Sequence, residues 1–211
     1  MSNIVTKIVF LIDRSSSMET LRDSVIDGFN EFIAGQKLQK DLCTVSLYQF
    51  DDIFEEVFTN KSLDEVQKLD RNTYVPRGMT ALYDSITRCI NLTNTIVCPM
   101  DQTLIVIQTD GAENASKESS SQSVKALIET KQAEGWNFTF IGANLDAIAA
   151  ARTIGIGASA ALQFNSNELS NKAVYGLMTN KVSSYRSMKS TGAEGQAAID
   201  YLSEERTSVD I

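Results

Sequence analysis

Val5-Thr6-Lys7-Ile8-Val9-Phe10-Leu11-Ile12, followed at once by Asp13-Arg14-Ser15-Ser16-Ser17, is the stretch that decides the fold. From Ile8 to Ile12 the apolar residues are continuous rather than alternating. A strand of that kind is covered on both faces, as in a parallel sheet flanked by helices. A second such run, Leu104 to Gln108, ends in Thr109-Asp110-Gly111. Two buried strands, each ending in a polar turn with an aspartate, frame the rest of the chain.

Outward from the first strand, Leu21, Val25, Phe29, Phe32 and Ile33 fall at helical spacing. Cys43 to Phe50 and Ile53 to Phe58 read as a hairpin turning at Asp51-Asp52. A short helix is expected around Ser62 to Leu69, with Ser62 as its N-cap. Val75 to Thr80 is a loop punctuated by Pro76 and Gly78. A helix from Ala81 to about Asn91 follows, with Leu82, Ile86 and Ile90 on one face. Gly111 to Ser121 is a polar loop, Val124 to Ala133 a helix, and Trp136 to Ile141 a strand. Asp146 to Arg152 is a short helix, Ala161 to Phe164 a last strand, and Leu169, Ala173, Val174 and Leu177 mark a final helix. Strands alternating with helices give an α/β fold: an open, mainly parallel sheet with one antiparallel edge strand from the hairpin and helices on both faces. We expect one domain over residues 1–188 and a polar C-terminal tail over 189–211, mobile or loosely docked.

The composition excludes several chemistries. The chain has 211 residues, 43% hydrophobic and 22% charged, enough for a substantial core. It contains no histidine, which rules out Ser-His-Asp and Cys-His nucleophiles and histidine-ligated metals. Any metal must be held by oxygen ligands or scattered thiols. Cys43, Cys89 and Cys98 form no Cys-x-x-Cys pair and read as reduced thiols of a cytoplasmic protein. Lys and Arg number 19 against 27 Asp and Glu, a net charge of −8. An acidic chain without a basic block suits neither nucleic acid nor an anionic membrane. No apolar run approaches a membrane span, and the N-terminus shows no signal-peptide pattern.

In open α/β sheets, ligands bind beyond the carboxyl ends of the strands. There the sequence places Asp13-x-Ser15-x-Ser17, then Gly78-Met79-Thr80 before a helix, then Thr109-Asp110-Gly111. Two carboxylates and three hydroxyls offer only oxygen, which suits a hard cation such as Mg²⁺. Alternate residues of an extended turn face one way, so Asp13, Ser15 and Ser17 can address one ion. Gly111 is expected to free the backbone for a sharp turn after Asp110. If neutral hydroxyls bind directly and the carboxylates act through water, the ion stays electrophilic and keeps a position open to an external carboxylate.

Asp13-x-Ser15-x-Ser17, Thr80 and Asp110 resemble the metal-ion-dependent adhesion site of von Willebrand factor A domains, of which integrin I domains are the best-known members. Gly78 to Asp84 and Gln108 to Gly111 resemble the same family, and the likeness covers roughly Ile4 to Phe164. The stretch Phe140 to Asp146 is similar to small stand-alone bacterial or phage members. The resemblance implies a mainly parallel six-stranded sheet. It implies Ser15, Ser17 and Thr80 as direct ligands of Mg²⁺ or Mn²⁺, with Asp13 and Asp110 bound through water or behind the ligands. It also implies a protein partner that supplies an Asp or Glu carboxylate. Ser16 stands where the family often has glycine, at a position that is not a ligand. Family members can shift a terminal helix, which here would be the one near Leu169 to Leu177, coupled to the loop around Ile141 to Asp146.

Each residue has a plainer alternative. Thr80 could be an N-cap, Asp51-Asp52 a turn, Glu113 a solvated loop residue, and Asp84 a helix-start carboxylate favoured by the macrodipole. Trp136 reads as a core anchor, and Gly155-Ile156-Gly157 is a poor nucleotide loop. Tyr74, Arg77 and Met79 could form a rim that touches a partner. For function, the sequence favours a metal-dependent protein-binding module and no enzyme. The alternatives are an assembly component or an AAA+ ATPase-associated adaptor with an incidental metal site and, less favoured, a Mg²⁺-dependent hydrolase. Oligomeric state is not legible.

Overall fold

The computed structural model describes residues 4–143, 146–164 and 168–190. Six strands form one sheet: β1 (Thr6–Asp13), β2 (Cys43–Phe50), β3 (Phe54–Ser62), β4 (Gln102–Thr109), β5 (Asn137–Ala143) and β6 (Ala161–Phe164), in the order β3-β2-β1-β4-β5-β6. β3 is antiparallel to β2, and every other pairing is parallel. This is the architecture expected from the alternating pattern, with the hairpin supplying the antiparallel edge.

The chain builds outward from β1 to β2 and β3, then crosses to β4 and builds the other way. The strand order therefore reverses between β1 and β4. Their register sets Ile12 against Gln108, so Asp13 and the Thr109-Asp110 turn leave the sheet side by side at the reversal. Crevices at such reversals are where open α/β sheets bind ligands.

The continuous apolar run of β1 serves two cores. Ile8, Phe10 and Ile12 face one side, with α1 (Arg22–Gln36) and α5 (Glu168–Ser190), through Val25, Phe29, Phe32, Val174, Tyr175 and Met178. Val9 and Leu11 face the other, with α2 (Leu82–Asn94), α3 (Ser121–Ala133) and α4 (Ala147–Thr153), through Leu82, Ile86, Ile90, Val124, Ile128 and Ala151. Phe10 meets Phe29 and Phe32 edge to face at centroid distances of 5.2 and 5.0 Å. Such pairs add about 0.5–1.5 kcal/mol each beyond their buried area. Trp136 closes the second core, with Lys131 over its ring at 4.9 Å. Cys43 and Cys89 are buried and Cys98 is exposed, all three as free thiols. Burial pushes the Cys43 and Cys89 thiols up to about 12. Among the described residues, no helix is long and apolar enough to cross a membrane.

Two segments differ from the sequence reading. The helix expected over Ser62 to Leu69 is only a 3-10 turn, Leu63–Glu65. The Glu65 carboxylate accepts the Ser62 backbone N–H at 3.1 Å, so Ser62 does start the turn. The chain then runs extended because the Asn30 amide takes over the backbone of Leu69, accepting its N–H and donating to its carbonyl, both at 2.9 Å. The last helix is longer than the apolar pattern suggested and runs to Ser190, past the expected start of the tail. Arg186 explains the extension. It is 1% exposed and donates to Asp41 Oδ2 at 2.7 Å, the Asp41 carbonyl at 2.8 Å and the Gln36 carbonyl at 3.0 Å, fastening the end of α5 to the end of α1. Residues 191–211, Asn144 and Leu145, and the Leu169 side chain lie outside the described residues. Gly155 (φ +82°) ends α4 in a left-handed cap, with Ile156 N–H on the Ala151 carbonyl at 2.9 Å, so Gly155-Ile156-Gly157 is a helix stop.

Candidate metal centre

The site starts from Asp13, the last residue of β1, which has no solvent exposure. Its Oδ1 accepts the Ser15 backbone N–H at 2.6 Å, and its Oδ2 accepts the Thr109 hydroxyl at 2.6 Å. The first bond curls the chain so that Ser15 and Ser17 turn to one side, with their hydroxyl oxygens 3.1 Å apart. The Ser17 hydroxyl then donates to Asp110 Oδ1 at 2.6 Å. Thr80 completes the group. A Cβ placed on Gly111 would lie 3.5 Å from Thr80 Oγ1 and 3.6 Å from Ser17 Oγ, so both hydroxyls face the same side of Gly111. All five candidate residues, Asp13, Ser15, Ser17, Thr80 and Asp110, are thus gathered at the β1–β4 reversal. Asp13, Ser15 and Thr80 form a buried floor, while Ser17 lies open to solvent.

The charge of this floor is poorly matched to its surroundings. Burial pushes the Asp13 carboxyl up to about 6, against the pull of the Thr109 and Ser15 hydrogen bonds and with a small further push from Asp110. Burial raises Asp110 as well, opposed by the Ser17 hydroxyl. Two buried carboxylates 97 residues apart in sequence, with no cationic side chain bonded to either among the described residues, favour a cation between them. Among the described residues no group of three or more Cys, Asp or Glu side chains assembles as a metal site. A cation here would depend on the hydroxyls, and an all-oxygen set of two carboxylates and three hydroxyls fits Mg²⁺ or Mn²⁺.

Gly111 differs from expectation. Its φ is not positive, so the turn after Asp110 needs no glycine for backbone reasons. The missing side chain instead leaves space beside the Thr80 and Ser17 hydroxyls. Gly78 is the glycine required for conformation: its φ is +68°, and a Cβ there would run into the Asp52 carboxylate. Ser16 donates both its N–H (3.2 Å) and its hydroxyl (3.0 Å) to the Gly78 carbonyl, tying the first loop to the second.

Thr80 is not a helix cap. The residue before α2 is Ala81, and no side chain of its own caps the helix. The Thr80 backbone is instead held by the loop after β4: its N–H goes to Asn114 Oδ1 at 2.9 Å, and its carbonyl accepts from Asn114 and Ala115 at 3.1 and 3.2 Å. Glu113 is not a solvated loop residue. Its carboxylate accepts the Tyr83 N–H at 3.0 Å and those of Ala115 and Ser116 at 2.8 and 2.6 Å, clamping the start of α2 to this loop. Asp84 does the same from the helix side, accepting N–H groups of Lys117 (2.7 Å), Glu118 (3.1 Å) and Ser119 (2.7 Å). Burial alone would raise its carboxyl, but these donors hold it below the usual range. Tyr74 is not on the rim either: it is fully buried, and its hydroxyl donates to the Asp13 carbonyl at 2.6 Å. Arg77 and Met79 are exposed beside the site. Asp51 is the residue the sequence most undersold, because it is buried beneath the turn it was expected merely to shape.

The fold has known counterparts. No protein-family model matches the sequence, and no curated protein matches it by sequence. Solved structures match by shape. Proximal thread matrix protein 1 from the mussel byssus, in a form with a zinc-occupied metal-ion-dependent adhesion site, is 16% identical with a TM-score of 0.60 over 86% of this chain and 46% of its own. A von Willebrand factor type A protein from Catenulispora acidiphila is 15% identical, TM-score 0.62, over 84% and 42%. The pilus adhesin SpaC from Lactobacillus rhamnosus GG is 11% identical, TM-score 0.69, over 87% and 30%. The chain spans about half the length of the first of these proteins and less of the other two. At these identities the likeness establishes the fold, which is that of von Willebrand factor A domains.

Proposed function

We propose that Asp13, Ser15, Ser17, Thr80 and Asp110 hold a divalent cation, Mg²⁺ or Mn²⁺, and that the cation grips an Asp or Glu carboxylate of a protein partner. The observation that carries this reading is the convergence of three hydroxyls and two charge-burdened carboxylates at the strand-order reversal. Ser15, Ser17 and Thr80 would contact the ion through their hydroxyl oxygens, and Asp13 and Asp110 would balance its charge through water or from behind. When bound, the ion supplies a Lewis-acidic position that prefers a negatively charged oxygen. The residues of the chain do the rest. They hold the Ser17 hydroxyl between the Ser15 hydroxyl and the Asp110 carboxylate, bury Asp13, Ser15 and Thr80 beneath it, and leave Ser17 exposed.

The rim suits a protein rather than a small ion alone. Ile53, Val75 and Met79, exposed by 58%, 41% and 56%, stand on the loops around the centre. A groove of 680 Å³ opens next to Thr80, lined by Met79, Asp52, Phe54, Arg88, Leu92 and Lys117 among others. One metal–carboxylate bond needs such surrounding surface to become a specific interface. The net charge of −8 argues for a protein partner over nucleic acid or an anionic membrane. An assembly role is the second reading, favoured by the matrix-protein and pilus-adhesin neighbours.

The test is capture of partners on the immobilised protein in Mg²⁺ and again in chelator, beside Asp110→Ala. A partner retained only by the wild type in Mg²⁺ is the expected result. A partner held equally in chelator, or by Asp110→Ala, moves the interface away from the cation and favours the assembly reading.

A further inference from the structure

The Asp51-Asp52 turn between β2 and β3 lies at the same end of the sheet as the candidate metal centre but contributes no ligand to it. Two adjacent acids at a hairpin are ordinarily solvated, yet Asp51 is 1% exposed. Its carboxylate is fully engaged. Oδ2 accepts Nε of Arg14 at 3.0 Å and Nε of Arg77 at 2.9 Å, and Oδ1 accepts the Ile53 N–H at 2.6 Å. Arg14 is the residue between Asp13 and Ser15, and Arg77 lies three residues before Thr80. One carboxylate therefore grips both loops that carry proposed ligands.

The backbone repeats this link. The Arg77 N–H donates to the Arg14 carbonyl at 2.6 Å, and the Ala81 N–H donates to the Asp51 carbonyl at 3.0 Å, so the peptide groups on either side of the Gly78-Met79-Thr80 turn are pinned to Arg14 and Asp51. Asp52 adds a weak contact to the Met79 N–H at 3.4 Å and occupies the space that a side chain on residue 78 would need.

We propose that Asp51 is a positioning residue for the metal centre. It sets the spacing between the Ser15–Ser17 loop and Thr80 by holding Arg14 and Arg77 on one oxygen. This inference rests on the cation reading given above, and it assigns a role to a residue outside the five candidate ligands. The physical case is the cost of leaving the arrangement half made. Arg14 is 4% exposed, its Nη2 is buried without a partner among the described residues, and its Nη1 reaches only Glu55, which is half exposed. With Asp51 neutralised, the buried guanidinium loses its only buried countercharge among the described residues and must move toward solvent, drawing the Asp13–Ser17 loop with it. Ligand oxygens displaced by a fraction of an ångström bind a small, rigid cation such as Mg²⁺ poorly.

The experiment is calorimetric titration of Mg²⁺ into the full chain for wild type, Asp51→Asn, Arg77→Met and Glu55→Gln, with thermal unfolding of each in chelator as the check on folding. Asp51→Asn, folded at the titration temperature, is expected to bind Mg²⁺ at least tenfold more weakly. Arg77→Met, which removes a 55% exposed side chain and leaves no buried charge unpaired, is expected to weaken Mg²⁺ severalfold with little change in unfolding temperature. Glu55→Gln is expected to bind as wild type. A merely structural Asp51 would lower the unfolding temperature and leave the Mg²⁺ affinity of the folded protein unchanged. That result in Asp51→Asn, or in Arg77→Met should Asp51→Asn fail to fold, overturns the proposal. A wild type that takes up no Mg²⁺ overturns the cation reading itself, before any variant is compared.

Discussion

Removing divalent cations should make the stability of this protein depend on pH in an unusual direction. Most carboxylates that matter to folding are held below their ordinary range, and their contribution is lost as pH falls. Asp13 is the reverse: burial lifts it from 3.8 to about 6. Between those values the folded protein holds a proton that the unfolded chain has released, so stability falls as pH rises from about 4 to about 6 and is level above. The size follows from about 1.4 kcal/mol per pH unit, giving a loss of about 3 kcal/mol across the window. For a domain of this length that corresponds to roughly 6–12 °C in unfolding temperature. A cation bound beside Asp13 favours the ionised form and offsets the loss. At a concentration of 100 times its Kd it restores about 2.7 kcal/mol. Unfolding followed by circular dichroism at pH 4.5, 5.5, 6.5 and 7.5, in chelator and in Mg²⁺, reads both effects. Asp23, Asp70 and Asp84 are held low and act mainly below pH 4, with the opposite sign. Asp110 is raised by burial too and adds to the same loss, so Asp13→Asn isolates the Asp13 share: the variant should show a smaller loss between pH 4 and 6 and no gain from Mg²⁺. If wild type in chelator is flat or gains stability over that range, or if Asp13→Asn keeps the wild-type slope, the electrostatic picture of the floor is wrong.

Other changes should separate fold from site. Gly28 of α1 faces the Tyr175 ring of α5 so closely that a Cβ would run into it, and Tyr175 donates to Gln108 on β4 at 2.5 Å. Gly28→Ala should cost about 1–3 kcal/mol through overpacking, read by urea unfolding, and an unchanged midpoint would mean that α5 sits more loosely than its contacts suggest. Met79→Lys should abolish capture of a Mg²⁺-dependent partner while leaving Mg²⁺ affinity within about twofold, since Met79 is more than half exposed and its side chain is no ligand. Capture at wild-type strength would place the interface on another side of the centre.

The buried strands were legible because they violate alternation. Ile8 to Ile12 and Leu104 to Gln108 have nowhere to sit except the middle of a doubly covered sheet, and the polar turns after them then had to meet at one edge. The five oxygen-bearing residues that the structure gathers at the β1–β4 reversal could be proposed from sequence because a hard cation restricts residue type and the absence of histidine removed the competitors. The supporting residues were hidden because their work is done for backbone groups. Nothing in the sequence around Glu113, Asp84 or Asn114 says that a carboxylate or amide there will collect N–H donors from a loop about 30 residues away. Asp51 was missed for a related reason. An Asp-Asp pair at a hairpin is explained well enough by turn propensity, and its burial depends on two arginines distant in sequence. Asn30 misled in the same way: its amide substitutes for the helical bonds that the pattern from Ser62 to Leu69 would otherwise have made. Length patterns alone did not give the end of α5, because Arg186 reads as a surface residue until its partners Asp41 and Gln36 are in view.

The most direct test of the central claim is anomalous diffraction from crystals of the protein soaked in Mn²⁺. The account predicts one strong peak per chain within about 2.0–2.3 Å of the hydroxyl oxygens of Ser15, Ser17 and Thr80, lost in Asp110→Ala. A Mn²⁺ peak elsewhere, or none at the β1–β4 reversal at saturating Mn²⁺, would contradict it.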